Sequence, residues 1–486
     1  MADAVVIGAG LGGLAAAIRL AAAGVATTVL EAGPRPGGKA DVVVIDGVEV
    51  DTGPSVLTMP DVLDELFEVS GARRADHVDL IQPEPAFHYH YPDGLSLVVH
   101  HELAATLDEI ERALGSAARA EFASFMAYSR GIWEVAEPWF VKGPPPSLGT
   151  LASPRALWAL TKIQGHTTFG AALAARVSHP ALRDLLARYA TYNGSDPRVA
   201  PATLACIAWV ELGLGGYGVR GGVHALVRAL VARATHLGVR FQLDCPVARV
   251  VVERGRAVGV VTAAGEHVSA RAVVCNADAA HLAGDLLAQR PRSLRRDAVP
   301  SMSGWVAVLK APRDAERAPH AVWFPGRYAD EFADVFDHDR PPVDPTVYVC
   351  APEKAHARAG WVDHEPLFVM ANAPAEPIAG PRGDETWRAL RAAVLGRLAR
   401  AGVEGEVVWE RSPTGLASRF PGTRGAIYGA SSNAPTAAFQ RPPNALADVP
   451  GLFLASGSAH PGGGMPLCLL SGKQAAVAAL SALGER

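Results

Sequence analysis

Residues 4–14 read Ala-Val-Val-Ile-Gly-Ala-Gly-Leu-Gly-Gly-Leu, and this stretch decides the fold of the chain. The pattern Gly8-x-Gly10-x-x-Gly13 follows a predicted buried strand and opens a predicted Ala- and Leu-rich helix. Gly8 permits a tight turn, Gly10 lets the main chain approach a pyrophosphate, and Gly13 allows close packing of helix on strand. The free N–H groups at the helix N-terminus attract phosphate. The sequence therefore predicts a dinucleotide-binding βαβ unit. Its predicted phosphate-binding residues are Gly8, Gly10, Leu11, Gly12 and Gly13.

Two later features indicate which dinucleotide binds. Glu31 follows the second predicted strand, where a carboxylate can accept hydrogen bonds from ribose hydroxyls and disfavours a 2′-phosphate. Gly37-Gly38-Lys39 comes next, so that its glycines can pass near the diphosphate and Lys39 can reach it. A nicotinamide dehydrogenase needs no such second glycine pair, and these residues favour FAD. The alternative is a glycine-rich turn in an ordinary α/β unit. The predicted strand, the predicted helix and the acid at Glu31 all argue against it, because such a turn does not need the three together.

A second glycine-rich segment lies near the other end of the chain. Gly457 to Pro466 contains three consecutive glycines and stands between a predicted strand and a predicted helix. The N-terminal dipole of that helix would point at an electron-rich atom, and reduced flavin accumulates negative charge near N1. We interpret this segment as a second main-chain cradle for the cofactor.

The composition limits the classes of partner. Lys and Arg total 45 against 49 Asp and Glu, a formal charge of -4, so nucleic acid is not predicted as a partner. The five cysteines are scattered without a CxxC pair, which indicates neither disulfides nor zinc and fits a reducing cytosol. The mean hydropathy of +0.14 is high although no run suits a membrane span. A large core, an apolar tunnel and a membrane-facing patch all remain open.

The pattern of elements predicts an α/β fold, α+β overall, with two intertwined domains. A strand, a glycine turn and a helix stand at both ends of the chain, and a β-rich meander runs from Val239 to Cys275. Distant segments should therefore build one Rossmann-like FAD-binding domain, with a mixed-sheet and helical substrate domain inserted. The predicted FAD domain comprises 1–75, 215–295 and 415–486; the substrate domain comprises 76–214 and 296–414, with a helical membrane-associating part near 120–214.

Further segments carry a resemblance to a known family. Together with the opening glycines they resemble the carotenoid desaturases of the phytoene desaturase type, which share an amine-oxidase-like FAD fold. The resemblance runs nearly end to end and is greatest to the bacterial 1-hydroxycarotenoid 3,4-desaturases, also called methoxyneurosporene desaturases. The segments are Asp51-Thr-Gly-Pro54, Tyr189-Ala-Thr-Tyr-Asn-Gly194, Gly425-Ala-Ile-Tyr-Gly429 and Ser458-Ala-His-Pro-Gly-Gly-Gly-Met-Pro-Leu-Cys-Leu-Leu-Ser-Gly472.

The resemblance implies an FAD enzyme that takes a hydride onto flavin N5 from one allylic carbon while a proton leaves the neighbouring carbon. It implies a long acyclic carotenoid substrate entering from the membrane, oxygen or a quinone as electron acceptor, and a cytoplasmic protein peripherally attached to the inner face of the membrane. The family pattern places ribose at Glu31, and many relatives carry an acid where this chain has Ser458. It assigns the diphosphate and ribityl region to Gly38, Lys39, Gly53, Pro54 and Ser55, adenine to the backbone of Val247, and the flavin to Gly457, Gly464, Met465 and Pro466.

Histidines are the candidates for proton transfer or metal binding. His460 is the one ionisable residue of the second cradle and is the candidate proton acceptor. The alternative is that its ring packs on the Pro461 turn and hydrogen-bonds to main chain. His88 and His90 share one face of a strand, but a solvated hairpin explains them better than a metal, and no metal site is predicted.

Tryptophans near basic residues suggest a membrane-facing surface. Core tryptophans with solvated cations are the alternative. The tryptophans are Trp133, Trp139 and Trp158, and the basic residues are Lys142, Arg155 and Lys162.

Several other functions share this nucleotide domain. A phytoene or neurosporene desaturase, a carotenoid isomerase and a retinol-saturase-like enzyme are the nearest, and a flavin amine oxidase or a protoporphyrinogen-type oxidase is more distant. A prenyl-binding escort protein of the Rab type would hold lipid without flavin. Glu31, Gly38 and Lys39 argue against it, because a chain without FAD need not keep them.

Overall fold

A computed structural model describes residues 3–145, 159, 161–294, 299–434 and 437–485. Trp158 and Arg155 of the predicted membrane-facing surface lie outside these residues. The described strands, in chain order, are β1 (Ala4–Ile7), β2 (Thr27–Leu30), β3 (Val42–Ile45), β4 (Val48–Asp51), β5 (Leu80–Ile81), β6 (Phe87–His90), β7 (Ser96–Val99), β8 (Gly218–Val219), β9 (Arg240–Gln242), β10 (Val247–Glu253), β11 (Arg256–Thr262), β12 (His267–Ser269), β13 (Ala272–Cys275), β14 (Ser303–Pro312), β15 (His320–Trp323), β16 (Val347–Cys350), β17 (His364–Ala373), β18 (Glu406–Arg411) and β19 (Leu452–Leu454).

β1 lies at the centre of a parallel sheet whose order is β19-β13-β1-β2-β9. Every residue of β1, β2 and β13 is buried, as expected for parallel strands that are covered on both faces. The strands come from both ends and the middle of the chain, and all lie inside the segments predicted for the FAD domain. The sheet is thus built from distant segments, while the domain boundaries stay a prediction.

The two faces of this sheet have different covers. Val6 belongs to the hydrophobic core that includes Leu14 of the first helix (Leu11–Ala22) and Leu469 of the closing helix (Met465–Leu483). Val5 faces the other way, into the core built with the antiparallel sheet β10-β11-β12. The carboxyl ends of β1 and β13 therefore open towards the N-termini of the first and closing helices, where an anionic ligand is favoured.

A second, mixed sheet forms the other half of the molecule. Its order is β18-β14-β17-β16-β15-β6-β7, with β15 and β6 parallel and the other pairs antiparallel. The helix Asp384–Arg400 covers one face through Trp387 and Leu390. All strands of this sheet come from the segments predicted for the substrate domain.

Helices surround both sheets, and Trp133 packs in their core. Its side chain is 5% exposed, so the interpretation of this tryptophan as membrane-facing is wrong, because it lies on the inner face of Ser116–Ala136. The described α-helices are Leu11–Ala22, Pro60–Val69, Leu103–Leu114, Ser116–Ala136, Phe169–Ala174, Pro180–Ala187, Cys206–Leu212, Val223–His236, Ala279–His281, Tyr328–Phe332, Pro352–Ala355, Asp384–Arg400, Pro413–Arg419 and Met465–Leu483; the 3₁₀ turns are Arg74–Asp76, Arg188–Asn193, Ala202–Ala205 and Ala437–Gln440, and the π turns are Glu137–Val141, Leu282–Leu286 and Ala333–Asp337.

The closing helix is apolar enough to resemble a membrane span. In the part of the chain that the structure describes, it alone has the length and composition to cross a bilayer, and half of its apolar window is buried inside the protein. It packs along the first helix, where Gly472 lies against Gly12. We therefore assign it to the core of the parallel-sheet domain.

Candidate FAD site

The first glycine turn is closed too tightly for side chains. Gly8 has a φ of +91°, a region that favours glycine. A Cβ on Gly12 would lie 2.2 Å from the carbonyl oxygen of Ala455, and one on Gly13 would lie 2.2 Å from that of Gly8. The turn is therefore held between β1 and the segment after β19, with Leu11 buried beneath it.

Glu31 is attached to this turn. Its carboxylate accepts hydrogen bonds from the main-chain N–H of Ala9 at 2.7 Å and of Gly33 at 2.9 Å. The main chain of Glu31 also pairs with Gln242 and Cys245, which lead into Val247 at the start of β10. The predicted ribose and adenine residues thus lie next to each other at the carboxyl end of β2.

Asn276 is a residue of this site that sequence reasoning missed. Its side-chain oxygen accepts a hydrogen bond from the N–H of Gly10 at 2.9 Å, and its amide nitrogen donates to the carbonyl of Ala455. It therefore connects the first turn to the segment that begins the second cradle. Its position directly after a buried core strand was the available signal, because parallel sheets present ligand-binding groups at their carboxyl ends.

Gly37 and Gly38 bring a second loop against the first turn. Their φ values are +132° and +60°, and a Cβ on Gly38 would lie 3.2 Å from the Cα of Gly10. Lys39 then runs into the interior, where its ammonium donates to the carbonyls of Ala426 at 3.0 Å and Ile427 at 2.7 Å. Two of its three N–H donors are thus taken by main chain. Contact between the third and the diphosphate stays a prediction.

The turn at Gly53, Pro54 and Ser55 packs on the same loop. A Cβ on Gly53 would lie 2.1 Å from the carbonyl oxygen of Lys39. Asp51, just before it, accepts hydrogen bonds from the first N–H groups of the helix Val223–His236. Ser55 reaches across to the side chain of Tyr348 in the mixed sheet. The turn therefore lies where the two halves of the molecule meet.

The second cradle narrows in the same way. A Cβ on Gly457 would lie 3.2 Å from the Sγ of Cys468, and one on Gly463 would lie 2.7 Å from the ring of Tyr428. Gly464, with a φ of +110°, precedes the closing helix, whose first residues Met465 and Pro466 are buried.

The chain matches the model of the flavin-containing amine oxidoreductases over residues 11–480. It belongs to this flavoprotein family, and its cofactor is FAD. It is 36% identical to the hydroxyneurosporene desaturase of Rhodobacter capsulatus (99% of this chain, 98% of the relative), 32% to a zeta-carotene-forming phytoene desaturase of Myxococcus xanthus (96% and 92%) and 31% to the 1-hydroxycarotenoid 3,4-desaturase of a Flavobacterium (97% and 98%). A solved putrescine oxidase has the same fold, with a TM-score of 0.65 and 17% identity over 99% of each chain.

The residues of the site fit FAD on electrostatic grounds. Arg441, a second residue missed at the sequence level, is half-buried and donates to the carbonyls of Gly457 and Tyr428, each at 3.3 Å. Burial lowers the pKa of Arg441 to about 10 and also lowers the pKa of Lys39. Within the described residues no carboxylate forms an ion pair with either cation. Two half-buried cations beside glycine turns, neither neutralised by a carboxylate of the described residues, suit an anionic cofactor.

Ser458 stands where many relatives carry an acid, and its hydroxyl has partners within the protein. Its hydroxyl accepts a hydrogen bond from the N–H of Ala279 at 2.8 Å and lies 3.0 Å from the hydroxyl of Ser456. The hydroxyl of Ser458 therefore fixes the loop after β13 to the second cradle.

His460 is held by main chain in this FAD enzyme. Its ring is buried, and Nε2 donates to the carbonyl of Gly143 at 3.0 Å. Burial lowers the pKa of His460, so the imidazole is neutral near pH 7. The ring is thus hydrogen-bonded to main chain, as the alternative interpretation proposed, and Nδ1 remains the nitrogen through which a proton could be accepted.

The other histidine pair has structural neighbours. His90 stacks on Trp323 with ring centres 5.0 Å apart, and His88 lies 6.3 Å from His90. Among the described residues no group of three His, Cys, Asp or Glu side chains is placed to hold a metal ion.

Proposed function

We propose that this protein introduces a double bond into a long acyclic carotenoid, by 3,4-desaturation of a 1-hydroxy or 1-methoxy carotenoid. The observation that supports this most is the end-to-end similarity to the hydroxyneurosporene desaturase, which leaves no large segment of either chain unmatched. The FAD site is built from this chain's own residues and is consistent with that chemistry.

When bound, FAD supplies a two-electron acceptor that can take a hydride from an allylic carbon. The glycine turn and Glu31 would hold the nucleotide half, and the second cradle would hold the ring. Lys39 and Arg441 would stabilise negative charge gained by the cofactor, because cations are effective in a buried, water-poor site. His460 could accept the released proton at Nδ1.

We also propose that the protein binds the membrane surface peripherally, on the cytoplasmic side, and passes electrons to oxygen or a quinone. A lipid-like substrate supports this. The tryptophan surface supports it less than the sequence suggested, because Trp133 is in the core and Lys142 forms ion pairs with Asp61 and Glu137, both at 2.6 Å.

A substrate panel tests the proposed activity. The recombinant FAD-loaded protein is given neurosporene, 1-hydroxyneurosporene and a poly-cis lycopene in vesicles, with and without added quinone. We expect a red-shifted polyene spectrum with the hydroxylated substrate. If none of the acyclic carotenoids shifts, the proposal is wrong.

A second candidate function has a specific observation in its favour. The similarity to the zeta-carotene-forming phytoene desaturase supports desaturation of carotenoids that carry no hydroxyl group. Conversion of neurosporene at a rate equal to that of its 1-hydroxy derivative would favour this function, and conversion of the poly-cis substrate alone would favour an isomerase.

A further inference from the structure

A buried polar cluster lies in the helical part of the substrate domain. We define it as Arg188, Tyr189, Tyr192, Glu211 and Tyr89. The guanidinium of Arg188 donates to the hydroxyls of Tyr89 at 3.2 Å and Tyr192 at 3.1 Å, and the hydroxyl of Tyr189 donates to Oε1 of Glu211 at 3.0 Å. Arg188 also lies against the faces of these aromatic rings, its Cζ 5.1 Å from the ring centre of Tyr192. The cluster is therefore a preorganised group of polar side chains.

One acceptor of the cluster has no donor. Glu211 is 4% exposed, and the hydroxyls of Tyr189 and Tyr192 both interact with its carboxylate. Its Oε2 nevertheless has no hydrogen bond of normal geometry among the described residues. Removal from water raises the pKa of Glu211. A buried carboxylate oxygen without a donor is costly, and such atoms are normally satisfied by a ligand or a water. This oxygen therefore indicates a missing hydroxyl or N–H donor.

The polar cluster lies beside the turn at Gly53, Pro54 and Ser55, which the family resemblance assigns to the diphosphate and ribityl region of FAD. Tyr348, which contacts Ser55, has its ring centre 5.8 Å from the Cζ of Arg188. Gly216 lies between Val56 and Glu211: a Cβ placed on it would be 3.1 Å from the Cγ1 of Val56 and 3.5 Å from the Cγ of Glu211. Glu211 thus lies close to the turn that carries Ser55.

Asn193, the residue after Tyr192, connects the polar cluster to Gly457, which the family resemblance assigns to the flavin. Asn193 accepts a hydrogen bond from Arg441 at 3.0 Å, and Arg441 donates to the carbonyl of Gly457. The short helical turn Arg188–Asn193 is therefore connected at one end to the mixed sheet and at the other to the second cradle. Polar groups at this place would meet the reacting end of a substrate.

We propose that Oε2 of Glu211 accepts a hydrogen bond from the tertiary hydroxyl on C1 of the substrate, with Arg188 and the tyrosines holding the carboxylate in place. This inference rests on the proposed function with a 1-hydroxycarotenoid as substrate, because a 1-methoxy group has no O–H to donate. In a 1-hydroxycarotenoid only C2 separates the hydroxyl-bearing carbon from the C3–C4 bond that reacts, so a hydroxyl site must lie next to the flavin. The same contact would make Glu211 a residue that determines specificity, since a substrate without the hydroxyl leaves its oxygen unpaired.

The test measures preference rather than activity alone. Wild type, Glu211→Gln and Glu211→Asp are compared on 1-hydroxyneurosporene and on neurosporene, by kcat/KM and by quenching of tryptophan fluorescence as each carotenoid binds. Glu211→Asp keeps the charge near Arg188 but withdraws the oxygens by one methylene. Absorbance of bound FAD at about 450 nm shows that each variant has folded.

We expect the ratio of kcat/KM for the hydroxylated over the plain carotenoid to fall about tenfold or more in both variants, with a matching loss in binding of the hydroxylated compound. Glu365 provides the control: it is also buried and lies 2.6 Å from an arginine, Arg317, but at the far end of β17. Glu365→Gln and Glu365→Asp should leave the ratio unchanged.

Two other outcomes are separable. If the Glu211 variants slow both substrates equally, or leave the ratio unchanged, the hydroxyl site is refuted while the desaturase function stands. If wild type converts neither carotenoid, the proposed function itself is refuted, and the hydroxyl site with it.

Discussion

Lys39 is a cation enclosed by the protein whose hydrogen bonds go to main chain. Its ammonium donates to the carbonyls of Ala426 and Ile427, which belong to a loop far along the chain. It therefore holds the loop that carries Tyr428 against the second cradle. An enclosed charge of this kind positions a loop and also contributes to the electrostatic potential around it.

The first prediction concerns Lys39→Met. The change keeps the length of the side chain but leaves two buried carbonyls without donors, at about 1–3 kcal/mol for each unsatisfied group. We expect a lower free energy of unfolding and at least about tenfold weaker FAD binding, measured by denaturant unfolding and by FAD titration of the apoprotein.

Lys354→Met is the matched control. Lys354 also donates to a carbonyl, that of Ala315 at 3.0 Å, but its side chain is exposed and water can replace it. This variant should keep wild-type stability and FAD affinity. Equal FAD binding by Lys39→Met and wild type would contradict the assignment of Lys39 to the site.

The second prediction concerns pH and His320. Burial holds the pKa of His320 well below its ordinary value of 6.5. The unfolded chain takes up a proton below about pH 6.5 and the folded protein does not, so stability must fall as the pH drops through this region. The thermal midpoint of wild type should fall more between about pH 7.5 and about pH 5.5 than that of His320→Gln.

An exposed histidine controls for the substitution itself. His236, on the surface at the end of Val223–His236, should give a His236→Gln variant whose pH response is that of wild type. A pH response that is the same in His320→Gln and wild type would show that this histidine does not contribute to acid sensitivity.

At the scale of elements, the contact between the first and closing helices shapes the nucleotide site. Both helices begin at a glycine turn, and they touch where Gly472 meets Gly12. A Cβ on Gly472 would lie 2.3 Å from the carbonyl oxygen of Gly12 and 2.8 Å from the Cβ of Ala15. The helices can approach this closely because glycines face each other at the contact and the nearest side chain, that of Ala15, is a single methyl group.

The third prediction is that Gly472→Ala separates these helices. Overpacking of this kind costs about 1–3 kcal/mol, which outweighs the gain in helix propensity. We expect a lower thermal midpoint and a smaller fraction of protein purified with FAD, because the phosphate-binding turn moves with the first helix.

Gly396→Ala shows what the same substitution does without a clash. Gly396 lies within Asp384–Arg400, and the nearest atom to an added Cβ is the end of the Arg400 side chain at 3.6 Å. This variant should gain about 0.5–1 kcal/mol from the lower backbone entropy of the unfolded chain. If Gly472→Ala is stabilised equally, the close contact does not exist.

At the scale of the whole molecule, the parallel-sheet half and the mixed-sheet half provide different kinds of surface. The parallel sheet and its helices carry the glycine turns and the two half-buried cations that we assign to the cofactor. The mixed sheet and the helical part supply aromatic and aliphatic surface, together with the polar cluster. Delivery of a lipid-like substrate to that surface is the part of the proposal that needs a membrane.

The fourth prediction is therefore that the protein floats with liposomes in a density gradient. Trp139 lies in the turn Glu137–Val141, which Lys142 follows directly, and its side chain is half-buried. Among the described tryptophans we choose it as the candidate for contact with headgroups. We expect Trp139→Ala to reduce flotation, whereas Trp409→Ala, at a half-buried tryptophan of β18, should not. Flotation with neither neutral nor anionic liposomes would mean that the protein does not bind membranes.

The sequence alone predicted the parallel unit and its glycine turns because these depend on local properties. A positive φ favours glycine and a position without room for a Cβ requires it, and a four-residue apolar run before such a turn already indicates a buried strand. Glu31 could be assigned for the same reason, since its place after β2 follows from spacing. The family resemblance extended this to FAD and to the second cradle.

The partners of side chains that are far apart in the sequence could be found only from the tertiary structure. Asn276 lies 266 residues from Gly10, and Lys39 lies 388 residues from Ile427, separations at which no spacing rule applies. The unpaired oxygen of Glu211 likewise exists only because folding excludes water from around it. From the amino-acid sequence alone, a flavin nucleotide could be predicted, together with the glycine turn expected to hold its phosphates. The fold brings Lys39 and Arg441 to the glycine turns and places Glu211 among the tyrosines, because burial and contact are properties of the packed chain.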